Sequence, residues 1–109
     1  MTRGEIYLIK KPGKTDPRRQ RAFVVVSRQI LIDSNYGTVV CAPVYSSNSG
    51  LASQVSVGPD EGLKNVCAVH CDGLVSIRKG ELTDFVGSLS GRKLAELASA
   101  LKVALAIEE

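Results

Sequence analysis

The sequence predicts a mainly β domain: a small curled barrel with one C-terminal helix covering one side. Three observations carry that reading. Short apolar, β-branched runs recur between turns rich in Gly, Pro and Asn. The period changes once, after Ser90, from that of strands to that of a helix with one apolar face. The chain has 109 residues, 44% apolar and 23% charged, which suits a single globular domain spanning 1–109. A chain this short buries about two-thirds of its unfolded surface, so a second copy would usefully supplement its core.

Glu5 to Ile9 reads as the first strand. Lys10 to Gln20 is a loop, because Pro12-Gly13 and Asp16-Pro17 interrupt any regular element. Arg21 to Ser27 is the clearest strand, and its unbroken β-branched run predicts burial on both faces. Asp33 to Gly37 has turn chemistry. Thr38 to Ala42 is a third strand that Pro43 ends or bends. Tyr45 to Gly50 is a polar loop rich in hydroxyls. Gln54 to Val57 alternates as a half-exposed strand does, and Gly58 to Gly62 turns the chain. Asn65 to Cys71 is a fifth, almost wholly apolar strand; Val75–Ile77 and Phe85–Gly87 are short strands with a turn at Lys79-Gly80 between them. Ser90 caps a helix whose buried stripe is Leu94, Leu97, Ala98, Leu101, Ala104 and Leu105.

Several function classes are excluded at this level. No apolar run approaches the ~20 residues of a membrane span, and no signal-peptide core follows Met1, so the chain reads as cytoplasmic. Cys41, Cys67 and Cys71 are odd in number and sit in apolar runs, as buried free thiols do. Five aromatics and no Trp argue against a sheet that stacks several bases on an aromatic row. Charge is placed unevenly: residues 1–28 carry a net +6 and residues 29–109 a net −3, within an overall +3. A basic front suits a polyanionic partner, although a solvated loop has the same composition.

Gly13-Lys14-Thr15 resembles part of a phosphate-binding loop, but that motif requires Gly where Leu8 stands and a helix where a strand follows. Cys67 and Cys71 on one strand stand about 13 Å apart with His70 on the opposite face, so they cannot share an ion. With one His in the chain no familiar zinc pattern is completed, and no metal site is expected. His70 alone reads as a structural or interface group, with general base as the functional alternative. Arg21 opens a rigid strand and is better fixed than Arg18 or Arg19 in the preceding loop, so it is the residue best placed to meet a phosphate in defined geometry; its structural alternative is a salt bridge. Tyr45-Ser46-Ser47-Asn48-Ser49 offers hydroxyls and an amide that can bond a phosphate or a base edge. An antiparallel second and third strand bring that loop to Arg21.

Taken together these pieces resemble the MazF/PemK family of toxin ribonucleases. Arg3-Gly4-Glu5-Ile6-Tyr7 is similar to its opening R-G-[DE]-[IV]-[YW], and Arg21-Ala-Phe-Val-Val-Val-Ser27 to its R-P-x-[VL]-[VI]-[IL]-[ST] strand. Val40-Cys-Ala-Pro-Val-Tyr-Ser46 resembles V-x-A-P-[IV]-T-[ST]; Gly50 to Val55, then Cys71-Asp72-Gly73-Leu74 with Ser76-Ile77, resemble the segments that follow. The resemblance runs co-linearly over essentially the whole chain. It implies an SH3-like barrel of the MazF/CcdB type that forms a homodimer. It implies sequence-selective cleavage of single-stranded RNA without metal or cofactor, leaving a 2′,3′-cyclic phosphate and a 5′-hydroxyl, and a cognate antitoxin that blocks the RNA groove. The family's catalytic Arg falls on Arg21, and the acidic loop residue of some members falls on Asp16. Three positions depart from the pattern: Tyr45 replaces a small hydroxyl residue, Ala22 a Pro and Gly73 a Gln or Asn. These departures bear on activity and on cleavage preference.

Such chemistry needs a group to take the ribose 2′ proton, charge to stabilise the phosphorane, and a proton for the departing 5′ oxygen. A guanidinium suits the second task and is a poor base. Arg21 therefore ranks first as a catalytic group and Ser46 second, followed by Tyr45 and by Asp16 as acceptor of the 2′ proton. The expected arrangement has the Tyr45 ring against a base and the Ser46 hydroxyl at the phosphate. Lys10, Lys11, Lys14, Arg18 and Arg19, with Ser47 and Asn48, are the expected RNA contacts. Two other classes use the same frame: a protein-binding toxin that inhibits DNA gyrase, and a barrel that binds RNA without cutting it.

Overall fold

The computed structural model describes residues 1–9 and 21–108, so the Lys10–Gln20 loop lies outside the described residues. The elements in chain order are β1 (Glu5–Ile9), β2 (Arg21–Val25), α1 (Gln29–Ile32), β3 (Thr38–Tyr45), β4 (Gln54–Val57), β5 (Cys67–His70), β6 (Val75–Arg78), β7 (Asp84–Ser88) and α2 (Gly91–Ala104). All strand pairs are antiparallel, in the order β4-β5-β3-β2-β1-β7, and β6 adds to the outer edge of β3 beside β5. This is a mainly β half-barrel sheet with a C-terminal helix, for which SH3-like barrel is a fair description.

Strand alternation divides the side chains into two sets. Ile6, Ala22, Val24, Val26, Ala42, Val44, Val55, Val57 and Val69 face α2 and pack with Leu97 and Ala100. Tyr7, Val25, Val39, Cys41 and Ile77 occupy the other face, where Ile32 of α1 and Leu82 cover them, with Phe23 and Ile9 at the margin. The β-branched run of β2 is thus buried on both sides, as expected. Ser90 caps α2 by accepting from the Lys93 amide at 3.2 Å. Leu97 is fully buried, but Leu105 is 55% exposed: it follows the last helical residue, where the stripe has turned off the sheet.

The two sheet edges meet through a tight 3-10 turn at Pro59–Glu61. Gly62 (φ +93°) and Gly87 allow the contact, since a Cβ at Gly62 would meet the Val86 carbonyl oxygen and one at Gly87 the Glu61 carbonyl oxygen. The buried Glu61 carboxylate accepts from the Gly58 amide at 2.8 Å and holds the turn.

Four sequence readings are corrected. Pro43 neither ends nor bends β3 out of the sheet. Val26 N donates to Val40 O (2.9 Å), so the alternation makes Phe23↔Pro43 a non-hydrogen-bonded pair. The proline nitrogen then faces the other edge, where the neighbour changes from β6 (Thr38–Cys41) to β5 (Val44–Tyr45) and no ladder bond is lost. The fifth strand is shorter than Asn65–Cys71: Cys71 opens a 3-10 turn, Cys71–Gly73, pinned by Cys71 N to Ser53 O at 3.1 Å. Cys67 is only half-buried, its thiol 3.4 Å from the Asn65 carbonyl, whereas Cys41 and Cys71 are buried; all three are free. Burial pushes the Cys41 thiol up to about 12, and burial with the nearby Asp72 charge raises Cys71 to about 11. The one-turn helix α1, too short for a periodicity signal, was not expected; Lys79 Nζ fastens its end by donating to the carbonyls of Leu31 (3.2 Å) and Ser34 (2.7 Å).

The opening Arg3-Gly4-Glu5-Ile6-Tyr7 is architectural. Arg3 Nε donates to Val26 O at 3.1 Å, and the Glu5 carboxylate accepts from Thr2 N and the Tyr7 hydroxyl. Burial, then the Glu5 carboxylate, pushes the Tyr7 phenol up to about 12.

Candidate active site

The register of the strands assembles the site. Ile9 pairs with Arg21, Phe23 with Pro43, and Ala22 with Val44, so the start of β2 lies against the end of β3. On the other side of β3, Tyr45 pairs with Ala68, and one step along the face β5 pairs His70 with Gln54 of β4. Period-2 alternation therefore puts Arg21, Tyr45, Ala68, His70 and Gln54 on one face, opposite α2.

Arg21 Nη1 donates to the Tyr45 hydroxyl at 3.0 Å, and the guanidinium carbon stands 5.2 Å from the Tyr45 ring centroid. Arg21 forms no ion pair among the described residues, so the salt-bridge alternative finds no partner there. Tyr45 is 37% exposed, and its hydroxyl, which here accepts, keeps its own proton to donate. The remainder of the Arg21 fork is open among the described residues. An always-charged fork beside a phenolic O–H is a ready site for the oxygens of a phosphate.

His70 meets Tyr45 edge-on, with ring centroids 4.9 Å apart at 86°. Its Nε2 lies 2.9 Å from the Ser47 carbonyl oxygen. A carbonyl only accepts, so Nε2 is the donor in this bond. His70 thus braces the Tyr45 ring and the hydroxyl-rich loop together. Gln54 adds a second tie, accepting from Ser49 N at 3.0 Å through Oε1. Both ends of the Asn48 amide serve the loop: Oδ1 accepts from Gly50 N (3.2 Å) and Nδ2 donates to Ser56 Oγ (3.4 Å). Ser46 and Ser47 are exposed, and the Ser46 hydroxyl has no hydrogen bond among the described residues.

Of the residues singled out by sequence, the structure joins Arg21 with Tyr45 and sets Ser46, Ser47 and Asn48 beside them. The hydroxyl that touches Arg21 is that of Tyr45. Lys10, Lys11, Lys14, Asp16, Arg18 and Arg19 lie outside the described residues. Sequence reasoning did not connect His70 or Gln54 to Tyr45; the signal was their alternation within strands whose register was unknown. Asp72 is structural, accepting from Ser53 Oγ at 2.6 Å, and a Cβ on Gly73 would stand 3.1 Å from Pro43 Cγ. Cys67 and Cys71 belong to the α2-facing set and His70 to the other. Among the described residues no three His, Cys, Asp or Glu side chains gather as a metal site would require. No helix among them is long and apolar enough to cross a membrane.

The fold superposes on the Mycobacterium tuberculosis toxin MazF-mt6 with a TM-score of 0.81 at 23% identity, covering 96% of this chain and 99% of that one. A mycobacterial endoribonuclease, solved in complex with its cognate antitoxin, matches with a TM-score of 0.83 at 20% identity, covering 100% and 98%. MazF from Deinococcus radiodurans, in a MazE–MazF crystal, matches with a TM-score of 0.74 at 19% identity, covering 99% and 97%. The family model for PemK-like, MazF-like toxins of type II toxin–antitoxin systems matches residues 2–105. With the match running from before β1 to beyond α2, the chain belongs to the PemK/MazF toxin family.

Proposed function

We propose that this protein is a cytoplasmic toxin endoribonuclease that cuts single-stranded RNA at selected sequences, using the RNA's own 2′-hydroxyl. The observation that carries this reading is the Arg21 guanidinium held 3.0 Å from the Tyr45 hydroxyl on an exposed sheet face. In the proposed step the 2′ oxygen attacks the adjacent phosphorus as its proton leaves. The bond to the 5′ oxygen breaks, and that oxygen takes up a proton. The products are a 2′,3′-cyclic phosphate and a 5′-hydroxyl. Arg21 neutralises the charge that builds on the phosphorane oxygens, and the Tyr45 O–H donates to one of them. His70 is a positioning residue that holds the phenol through its ring edge. Asp16 is the proposed acceptor of the 2′ proton, and the basic residues Lys10, Lys11, Lys14, Arg18 and Arg19 are proposed to follow the phosphate backbone. By analogy with the antitoxin-bound relatives, a cognate antitoxin binds the toxin; a homodimer is the proposed active form, since a second copy would supplement so small a core.

The test is incubation of the purified protein with total RNA in the presence of a chelator, with mapping of the ends. Discrete cuts bearing cyclic phosphates are expected, and Arg21→Ala lowers the rate at least about 10²-fold while keeping the fold. Wild-type rates in folded Arg21→Ala remove Arg21 from the mechanism. Binding with no product on prolonged incubation leaves a non-cleaving RNA binder instead.

A further inference from the structure

A second feature lies on the same face, on the side of Arg21 away from β5. Ile9, Arg21, Phe23, Val75, Ser76, Ile77 and Glu81 line a cavity of about 270 Å³ between the ends of β1 and β2 and strand β6. The walls come from three strands and are mostly apolar. Glu81 follows β6 in the 3-10 turn Lys79–Glu81 and is exposed. Its carboxylate has no hydrogen-bond or ion-pair partner among the described residues, Arg21 included. The volume falls just short of the roughly 300 Å³ at which sites for free small molecules begin. It suits one flat ring of a larger ligand whose remainder is held elsewhere.

We propose that this cavity receives the base next to the cut, and that Glu81 selects guanine there. The inference rests on the ribonuclease reading above, since Arg21 joins the two parts: it touches the phosphate place through Tyr45 and lines the cavity. In single-stranded RNA the Watson–Crick edge is free to be read. A carboxylate only accepts, and its two oxygens match two adjacent N–H donors. Guanine offers such a pair, N1–H and N2–H. Adenine and cytosine set a ring-nitrogen acceptor beside their amino group, and uracil flanks its one N–H with two carbonyls, so each sets an acceptor against the carboxylate. Ile9, Phe23, Val75 and Ile77 would cover the base faces, and Arg21 offsets the negative charge that Glu81 brings near the phosphate.

The test uses short DNA oligonucleotides containing one ribonucleotide, so that only one bond can be cut. The base on its 5′ or its 3′ side is varied through all four, and inosine replaces guanine in a further pair. Cleavage and binding are measured for the wild type, Glu81→Gln and Arg21→Ala, with circular dichroism to confirm folding. The expected result is a preference for guanine on one side of about tenfold, the scale of one good bidentate base contact. Inosine, lacking the N2 amino group, loses part of that preference, and Glu81→Gln loses most of it. Equal cutting of all four bases, or a guanine preference unchanged in folded Glu81→Gln, overturns the proposal while the ribonuclease reading stands. Guanine-selective, Glu81-dependent binding with no cutting supports the pocket and overturns the ribonuclease reading. Neither binding nor cutting of any oligonucleotide overturns both.

Discussion

Replacing Tyr45 by Phe removes one oxygen from the site and almost nothing else. The ring stays, and with it the edge contact to His70 at 4.9 Å and the face presented to the Arg21 guanidinium at 5.2 Å. What goes is the acceptor of the 3.0 Å Arg21 bond and the O–H proposed to reach the phosphate. Both groups are solvent-exposed, so the ground-state bond contributes little, and unfolding free energy is expected to change by no more than about 0.5 kcal/mol. In the proposed transition state the same hydroxyl faces an extra negative charge. Loss of one donor aimed at developing charge costs about 10²-fold, which at 1.36 kcal/mol per factor of ten is about 2.7 kcal/mol. Arg21→Lys keeps the charge but loses the fork, so a comparable loss is expected. In the proposed mechanism the two side chains act on one phosphate, so the double variant should fall short of the product of the single effects. The assay is kcat/KM on a fluorogenic oligonucleotide with a single ribonucleotide at the cut, for wild type, both single variants and the double. Tyr45→Phe within twofold of wild type would refute the role given to the phenol. If Ser46→Ala is then the slow variant, the catalytic hydroxyl is that of Ser46.

Three further outcomes concern the frame. Gly87→Ala should destabilise the protein by about 3 kcal/mol, the upper end for overpacking, because its Cβ would strike the Glu61 backbone, which cannot swing aside as a side chain can; a denaturant midpoint near wild type would contradict this closure of the barrel. The buried thiols make two linked expectations. At pH 8 iodoacetamide should modify half-buried Cys67 first, with Cys41 and Cys71 protected until unfolding, as peptide mapping would show. Because folding raises Cys41 from about 9 to about 12, the folded state holds that proton more tightly. Stability is therefore full below pH 9 and declines as pH rises from there toward 12; stability constant over that range would mean that Cys41 is not buried in solution.

The strands along the chain and the helix were legible because their signals are local. Alternation in Gln54–Val57, the β-branched run after Arg21 and the Ser90 cap each declare themselves within a few residues. The pairing of Arg21 with Tyr45 was legible in outline, since antiparallel neighbours must bring those ends together. What stayed hidden depends on register and on edges. Pro43 looks like a terminator until the neighbour of β3 is known to change beside it. His70 looks like a solitary histidine until β5 is seen to carry it one step beyond Ala68, the residue opposite Tyr45. The Ser46 hydroxyl was expected at the phosphate, because a phenolic oxygen stands farther from the backbone than that of a small hydroxyl residue; the reach of the arginine side chain brings its fork out to the phenolic oxygen.

The division of β2, β3 and β5 into two faces has an evolutionary consequence. Positions 22, 24, 42, 44 and 69 answer to the packing beneath α2, where one methylene matters. Positions 21, 43, 45, 68 and 70 lie between them in sequence yet point to the opposite face. Exchanges at the exposed positions of the second series, 21 and 45, leave the first untouched, so the proposed recognition of RNA can change on a barrel whose interior stays put. Two interleaved sets of positions thus answer to separate demands while sharing one backbone.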